Sequence, residues 1–261
     1  MYPSVSFLSI KIPSYGLMMF FALFISGALS LRHTIKKGLK WETTMVIIAC
    51  IFGFAIIGAS FLYFIVTYSS QEILQYLHDG TLFTERVGFV FYGGLILGFL
   101  GAILGMKLSG ASFSEYAPAI IPYIPVAHAI GRIGCFLGGC CYGIPTRLPI
   151  GVVYPAYAIT DVPKDIPLFP VQLLESVLLL AIFVILLIAQ KKKYTANKLL
   201  GIYSILYACC RFGLEFLRYD SIRGSFAKLS TSQWVSILLV ISGIICFACD
   251  VRLPKRSLPG N

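Results

Sequence analysis

The 261-residue chain is too apolar and too weakly charged to fold as a water-soluble domain. Hydrophobic residues make up 58% of it and charged residues only 12%, with a mean hydropathy of +0.86, whereas soluble domains are typically about one quarter charged. These values exclude a soluble protein. The net charge of +10 falls mainly on one side of the predicted spans, so it predicts contact with anionic membrane lipids and no nucleic-acid partner.

Seven apolar stretches are long enough, at roughly 17–25 residues, to cross the hydrocarbon core of a bilayer as helices. In chain order they cover residues 14–32, 43–67, 87–106, 117–134, 170–190, 199–217 and 233–250. Pro118, Pro122 and Pro125 interrupt the fourth stretch, which membrane helices tolerate when neighbouring groups satisfy the freed carbonyls. The sequence therefore predicts an all-α polytopic membrane protein, with a single integral membrane domain over residues 1–261.

The basic residues are divided unequally between the two sets of loops. Twelve lysines and arginines follow spans one, three, five and seven, against seven on the other side, where six acidic residues also lie. Because cytoplasmic loops carry the excess of Lys and Arg, we expect the N-terminus outside and the C-terminus in the cytoplasm. The longest predicted non-helical segment, about 135–169, then forms a cap on the outer side.

Ionisable residues inside membrane spans are expensive in lipid and mark functional sites by default. Four groups of such residues and their neighbours stand out: Tyr15 with Gly16, Tyr92 with Gly93 and Gly94, Arg132 with Gly131 and Gly134, and Arg211 with Glu215 and Arg218. Arg211, Glu215 and Arg218 are spaced i, i+4, i+7 and therefore share one helical face. The predicted topology brings all four groups to the outer ends of their spans, which predicts one site there.

Purely structural interpretations remain open for these residues. Arg211 and Glu215 could form an intrahelical ion pair that makes a buried charge tolerable, and Arg132 could extend its head group to the interface. The tyrosines could be interfacial anchors. The glycines of span three could form a small-residue packing face, which is the preferred interpretation for Gly98 and Gly101.

Three of the eight cysteines lie in a glycine-rich stretch, at Cys135, Cys140 and Cys141. A disulfide could join Cys135 to either of the others, because the adjacent pair cannot easily bond to each other. A zinc site would need further ligands, and the nearest histidine is His128. The sequence therefore predicts no metal and no cofactor.

Arginines with a glutamate and tyrosines at the outer leaflet suit the binding of phosphate, because the planar guanidinium fork matches phosphate geometry. Phospholipid head groups are the abundant phosphates at that depth. The residues alone therefore predict a lipid-using enzyme or a lipid transporter.

Six segments in order resemble the prolipoprotein diacylglyceryl transferase family. They are residues 14–18, 91–96, 131–155, 169–175, 211–218 and 230–234. The most specific begins Gly-Arg-Ile-Gly-Cys-Phe at position 131 and is similar to the family's Gly-Arg-x-Gly-Asn-Phe signature. The chain departs from the family at Tyr92 and Phe169, which replace histidines, and at Cys135, which replaces the signature asparagine. Further along, the family has an asparagine and a glutamate at the positions where this chain has Gly138 and Cys140.

The resemblance implies a bacterial cell-membrane enzyme that transfers the diacylglyceryl group of phosphatidylglycerol to the lipobox cysteine of prolipoproteins and releases glycerol phosphate. It implies catalytic roles for Arg132, Tyr92 and Arg211. The expected substrate-binding residues are Tyr15, Gly93, Gly94, Gly131, Gly134, Cys135, Glu215 and Arg218. Two alternatives stay open: a paralogue that uses the lipid-phosphate site for another acceptor, with Cys135 or Cys140 as a transient nucleophile, and a non-catalytic phospholipid-binding or transport protein.

Overall fold

The structure, a computed structural model, describes residues 4–7, 10–79, 90–155, 162–219, 225–227 and 229–249. Within these ranges the chain is mostly helical. The helices are α1 Ser14–Lys36, α2 Trp41–Thr67, α3 Ser70–His78, α4 Phe91–Leu108, α5 Phe113–Ile120, α6 Ile124–Gly138, α7 Val171–Lys191, α8 Ala196–Leu214 and α9 Thr231–Ala248. Two short antiparallel hairpins pair β1 Ser4–Phe7 with β2 Ile10–Pro13 and β3 Ser225–Phe226 with β4 Leu229–Ser230.

Six helical segments in the described part of the chain are long and apolar enough to cross a membrane. They are Ser14–Lys36, Trp41–Thr67, Phe113–Gly138, Val171–Lys191, Ala196–Leu217 and Thr231–Ala248. Helix α4 adds a shorter apolar helix, Gly93–Leu108. The predicted all-α polytopic membrane fold is therefore confirmed.

The fourth span starts earlier than predicted and changes helix type in its middle. It runs through α5, a 3-10 turn at Ile121–Tyr123, and α6. Pro122 lies in that turn and Pro125 follows in the first turn of α6. A proline removes a backbone donor and clashes with the preceding turn, so the chain tightens here without ending the span.

Helix α3 falls in a segment where the sequence predicted no helix. A capping box begins it: the Ser69 backbone N–H donates to Glu72 Oε2 at 2.8 Å, and the Glu72 N–H donates to Ser69 Oγ at 3.4 Å. These reciprocal bonds satisfy backbone donors that the first turn leaves without intrahelical partners. Nine residues with such a start are enough for two turns of helix.

The chain divides into two compact units, residues 31–116 and residues 1–30 with 117–261. In the unit 31–116, α2 and α4 pack closely through small residues. A Cβ on Gly98 would lie 3.3 Å from the Cβ of Ala55, and one on Gly101 would lie against the Cys50 carbonyl. The preferred packing interpretation of Gly98 and Gly101 is confirmed.

The other unit contains α6 to α9 and the first part of α1. The Ser26 hydroxyl of α1 donates to the Tyr123 carbonyl at 3.0 Å, and Ser176 of α7 donates to the Ala129 carbonyl of α6 at 3.1 Å. Such bonds between helices are favourable where no water competes for the donors. Whether residues 1–261 act as one membrane domain stays a prediction.

The close approach of α2 and α4 predicts that Gly101→Ala destabilises the protein by about 1–3 kcal/mol, because the new methyl group forces two backbones apart. Thermal unfolding of the purified protein in detergent would measure this change. Gly53→Ala is the matched control, since a Cβ there meets nothing within 4 Å and alanine favours the helix. Equal melting temperatures for the two variants would contradict the packing.

Candidate functional site

The guanidinium group of Arg132 lies buried at a junction of three helices. Arg132 is on α6 and is only 9% exposed. Its Nε lies 3.0 Å from Oε1 of Glu175 on α7, a residue that is 2% exposed. The charge of the same guanidinium acts on the Tyr207 hydroxyl of α8. A buried charge is tolerated only when it is paired and hydrogen-bonded, so Glu175 is the residue that allows Arg132 to stay charged here.

Helix α1 packs against α6 just after Arg132. A Cβ on Gly134 would lie 3.0 Å from Met18 Cβ and 3.4 Å from Tyr15 Cδ2, and one on Gly131 would lie 3.6 Å from Met19 Sδ. The glycine at 134 therefore lets α1 approach closely and positions the Tyr15 ring beside α6. Two separately predicted site residues, Tyr15 and Arg132, are thus brought together.

The second buried arginine is Arg211, at the C-terminal end of α8 and 7% exposed. Its Nη2 lies 2.7 Å from Glu215 Oε2 and donates to the Ser232 hydroxyl of α9 at 2.8 Å. The i, i+4 ion pair considered from the sequence is confirmed. Its Nη1 is buried and has no hydrogen-bond partner among the described residues. One strong donor is therefore left for a ligand.

Two aromatic side chains connect the surroundings of the two arginines. Tyr207 and His128 pack with ring centroids 4.8 Å apart, and His128 lies one helical turn before Arg132. The charges of both Arg132 and Arg211 act on Tyr207 and on His128. The two guanidinium groups therefore belong to one polar region within the helices.

The three cysteines come together because of how α6 ends. Helix α6 continues to Gly138, so Cys135 lies in its last turns and not in the loop that the sequence predicted from 135 onwards. The Cys140 N–H donates to the Cys135 carbonyl at 3.1 Å and the Gly139 N–H to the Phe136 carbonyl at 3.3 Å. With Gly139 at φ 80, this is a Schellman C-terminal motif. It folds Cys140 back over Cys135.

The sulfur atoms of Cys135, Cys140 and Cys141 lie within 4.8 Å of one another, and all three thiols are free. The adjacent thiols of Cys135 and Cys140, together with the charges of Arg218 and Arg132, hold the pKa of Cys141 well below the usual value. The Cys140 thiol donates to the Cys135 carbonyl at 3.7 Å. The pKa of Cys140 is raised, because its thiol is the hydrogen-bond donor and is partly buried. The cluster therefore favours negative charge on Cys141.

A small folded cap holds the Cys140 backbone in place. Gln172 Nε2, at the start of α7, donates to the Cys140 carbonyl at 2.7 Å and to the Tyr154 hydroxyl at 3.0 Å. Tyr154 packs with Val162 and Leu168 in a buried cluster, and burial raises the pKa of Tyr154 to about 12. The phenol therefore stays neutral and hydrogen-bonded in the physiological range.

The end of α8 is tied to the same cap, which explains how Arg218 reaches the cysteines. The backbone of Gly143 passes so close to Phe169 and Leu217 that a Cβ on it would lie 2.8 Å from the Leu217 carbonyl oxygen. The Ile144 N–H donates to that carbonyl at 3.0 Å. Arg218 follows directly, and its charge acts on Cys141. The predicted residues Arg218 and Cys135 are thus brought to one region.

Three other predicted site residues belong to the unit 31–116. Tyr92 lies in the first turn of α4, and its side chain is outside the described part of the structure. Gly93 packs against the Gly58 backbone of α2, and a Cβ on Gly94 would lie 3.4 Å from Ala59 Cβ. The catalytic role of Tyr92 and the substrate-binding roles of the two glycines stay predictions.

Sequence reasoning missed Glu175 as a site residue, although it stands in one of the segments that carry the resemblance. A carboxylate inside the apolar run of α7 needs a cation or hydrogen-bond donors nearby, and that signal was readable in the sequence. Gln172, one turn earlier on the same helix, was missed as well. Their partners come from other parts of the chain, Arg132 from α6 and Cys140 and Tyr154 from the cap, so the sequence alone gives the need for a partner but not its identity.

Comparison with known proteins gives concordant matches over nearly the whole chain. The family model for prolipoprotein diacylglyceryl transferase matches residues 3–249. A Clostridium perfringens protein named phosphatidylglycerol–prolipoprotein diacylglyceryl transferase 2 is 34% identical over 256 residues, which cover 97% of this chain and 96% of that protein. Two further proteins are named phosphatidylglycerol–prolipoprotein diacylglyceryl transferase. The one from Clostridium tetani is 35% identical over 249 residues, which cover 92% of this chain and 94% of that protein. The one from Clostridioides difficile is 29% identical over 251 residues, which cover 95% of this chain and 93% of that protein.

The ion pair between α6 and α7 predicts that Glu175→Gln destabilises the protein by about 3–5 kcal/mol, because Arg132 keeps a buried charge without its counter-ion. Thermal or denaturant unfolding in detergent would measure the loss. Glu115→Gln, at an exposed position in the first turn of α5, is the control and should leave stability nearly unchanged. A Glu175→Gln protein as stable as the control would show that Glu175 does not neutralise Arg132.

Proposed function

The chain belongs to the prolipoprotein diacylglyceryl transferase family, and we propose that it transfers the diacylglyceryl group of phosphatidylglycerol to the lipobox cysteine of bacterial prolipoproteins. The observation that carries this proposal is the pair of buried arginines, Arg132 and Arg211, each held by a carboxylate at 3.0 Å or less. Fixed guanidinium groups in a region of low dielectric are suited to binding a lipid phosphate.

The carboxylates set the direction of each guanidinium and leave part of it for a ligand. Glu175 contacts Arg132 at Nε, and a guanidinium carries five N–H donors in all. Glu215 and Ser232 share one terminal nitrogen of Arg211, while the other has no hydrogen-bond partner among the described residues. A phosphate that accepts from Arg211 Nη1 would satisfy a donor that is otherwise buried without a partner among the described residues.

The reaction forms one bond and breaks one. The thiolate sulfur of the acceptor bonds to a glycerol carbon of the diacylglyceryl group as the bond from that carbon to the phosphate oxygen breaks. Glycerol phosphate leaves with the bonding electron pair, and the thiol proton passes to a base. Arg132 stabilises the charge that develops on the leaving phosphate, and Arg211 is the second phosphate ligand.

Tyr92 stands where the family has a histidine, and we assign it the part of assisting thiol deprotonation. An unperturbed phenol has a pKa near 10, so nearby positive charge is needed for it to act at neutral pH. Tyr15 orients the lipid head group. The remaining substrate contacts are expected at Gly93, Gly94, Gly131, Gly134, Cys135, Glu215 and Arg218.

The site works at the outer leaflet of the bacterial cell membrane in this proposal. The excess of lysine and arginine on the opposite side of the spans supports that orientation. Phosphatidylglycerol, the lipobox segment of a prolipoprotein and surrounding membrane lipids are the partners. The chemistry needs no cofactor, because the acceptor thiolate displaces glycerol phosphate directly from the glycerol carbon.

The decisive experiment incubates the purified protein with labelled phosphatidylglycerol and a lipobox peptide, with a Cys→Ser peptide as control. We expect release of glycerol phosphate, with the diacylglyceryl label on the thiol peptide only. Binding of phosphatidylglycerol without turnover would overturn the proposed reaction in favour of a non-catalytic role. Label captured on the protein itself would instead indicate a covalent intermediate and another acceptor.

In the same assay, Arg132→Ala should abolish turnover and Arg132→Lys should lower it by about 10²-fold or more, because lysine cannot reproduce the guanidinium fork. The lysine variant keeps a cation beside Glu175 and so serves as the folded form. Arg147→Ala, at an exposed position of the cap, should retain wild-type turnover. Full activity in either Arg132 variant would remove Arg132 from the site.

Substitutions at position 92 test the unusual tyrosine. Tyr92→Phe should lower turnover by about 10²-fold, because it removes the only proton-accepting group of that side chain. Tyr92→His should restore activity and bring the pH dependence towards the histidine range, about 6.5. The measurement is a pH–rate profile of the three proteins. Unchanged turnover in the phenylalanine variant would exclude a catalytic role for Tyr92.

A further inference from the structure

Two thiols that the proposed transfer reaction does not use, those of Cys140 and Cys141, form a ligand set together with Cys135. Cys135, Cys140 and Cys141 come from one stretch of chain, and their sulfur atoms lie within 4.8 Å of one another. We propose that these three cysteines bind one Cu(I) ion in three-coordinate thiolate geometry. No site of this kind is needed for diacylglyceryl transfer, so the inference goes beyond the proposed function.

The spacing of the sulfur atoms matches such a site. Thiolate sulfurs bind metal ions of this size at about 2.3 Å, and three sulfurs placed at 120° around one ion then lie about 4 Å apart. The observed upper limit of 4.8 Å requires side-chain movements of less than about 1 Å. Rotation about the Cα–Cβ bonds supplies movements of that size.

The backbone holds the three ligands together before any ion binds. The Schellman motif fixes Cys140 above Cys135 through the N–H to carbonyl bond of 3.1 Å. Gln172 holds the Cys140 carbonyl from α7 at 2.7 Å. Cys141 has φ 61, a conformation that non-glycine residues seldom adopt, and its sulfur stays with the other two. Unusual backbone of this kind persists when the surrounding structure determines it, and it is found at ligand sites.

The donor set selects a soft ion of low coordination number. Thiolates favour Cu(I) and zinc over hard ions such as magnesium or calcium. Zinc sites are tetrahedral and usually complete their shell with a fourth protein ligand or with water. In the part of the chain that the structure describes, no histidine, aspartate or glutamate joins the three sulfur atoms. Three sulfurs without a fourth ligand therefore point to Cu(I).

The surrounding charges favour the loaded form. One Cu(I) ion with three thiolates carries a net charge of −2, which is expensive to bury unless cations lie near it. Arg132 lies one helical turn before Cys135 on α6, and the backbone of Arg218 pairs with that of Gly143, two residues after Cys141. Arg132 is also paired with Glu175, so both arginines contribute positive charge near the cluster while Glu175 offsets part of it. Binding is not a redox step: three sulfur–copper bonds form, and the thiol protons pass to solvent.

The test is a competition for Cu(I) between the purified full-length protein and the chromophoric chelator bicinchoninate, without oxygen and with a phosphine reductant. We expect one Cu(I) per chain to leave the chelator. Cys135→Ser, Cys140→Ser and Cys141→Ser should each weaken binding by about tenfold or more, since even residues that only support metal ligands contribute that much. The control is Cys209→Ser with Cys210→Ser, an adjacent pair outside the cluster that should leave the affinity unchanged.

X-ray absorption of the wild-type protein with one equivalent of Cu(I) tests the geometry without relying on any variant. Three sulfur neighbours at about 2.3 Å are expected. The site would be overturned by only two sulfur neighbours in the absorption spectrum, or by a Cu(I) affinity that survives all three single substitutions. An equal loss of Cu(I) affinity in the control with Cys209 and Cys210 replaced would overturn it as well. Zinc bound as tightly as Cu(I) would overturn the choice of ion. None of these readouts depends on transferase activity, so they are separate from the test of the proposed function.

Discussion

The ion pair between Arg132 on α6 and Glu175 on α7 is the interaction on which the site depends. Both residues are buried, with 9% of Arg132 and 2% of Glu175 exposed, and the protein interior stabilises an isolated charge far less well than water does. The pair therefore requires α6 and α7 to stay in register, and the Ser176 to Ala129 hydrogen bond on the next residue supports that register. The ring contact between His128 of α6 and Tyr207 of α8, with centroids 4.8 Å apart, adds α8 to the same group of packed helices.

The second arginine, Arg211, is also buried beside a carboxylate, but its counter-ion has a different origin. Arg211 takes its counter-ion from its own helix and a hydroxyl from α9. In both cases a carboxylate compensates the charge from one side, so a guanidinium group can be kept rigid in an apolar bundle and still present donors to a ligand. A rigid donor is useful in catalysis because it needs no reorganisation when charge develops on a leaving phosphate.

The end of α6 joins two chemically different features within one helical turn. Arg132 belongs to the polar region between the helices, while Cys135 begins the thiol cluster that the Schellman motif completes. The glycines there have separate structural parts: Gly134 admits α1, and Gly139 adopts the left-handed conformation that ends the helix. The family signature has an asparagine where this chain has Cys135, so a thiol stands here in place of an amide near the arginine.

The sequence by itself determined the membrane class, the approximate spans and the Arg211–Glu215 pair, because each depends on residues close together in the chain: apolar runs of spanning length, or charges one helical turn apart. Helix α3 was missed although its Ser69–Glu72 capping box was readable, since a short polar helix has no apolar run to mark it. Only the tertiary structure decided that Glu175 neutralises Arg132, that Gln172 holds Cys140, and that Arg218 lies near Cys141. These partners come from segments far apart in the chain, and their choice depends on which helix faces meet and how the cap folds between them, which periodicity within one helix does not encode.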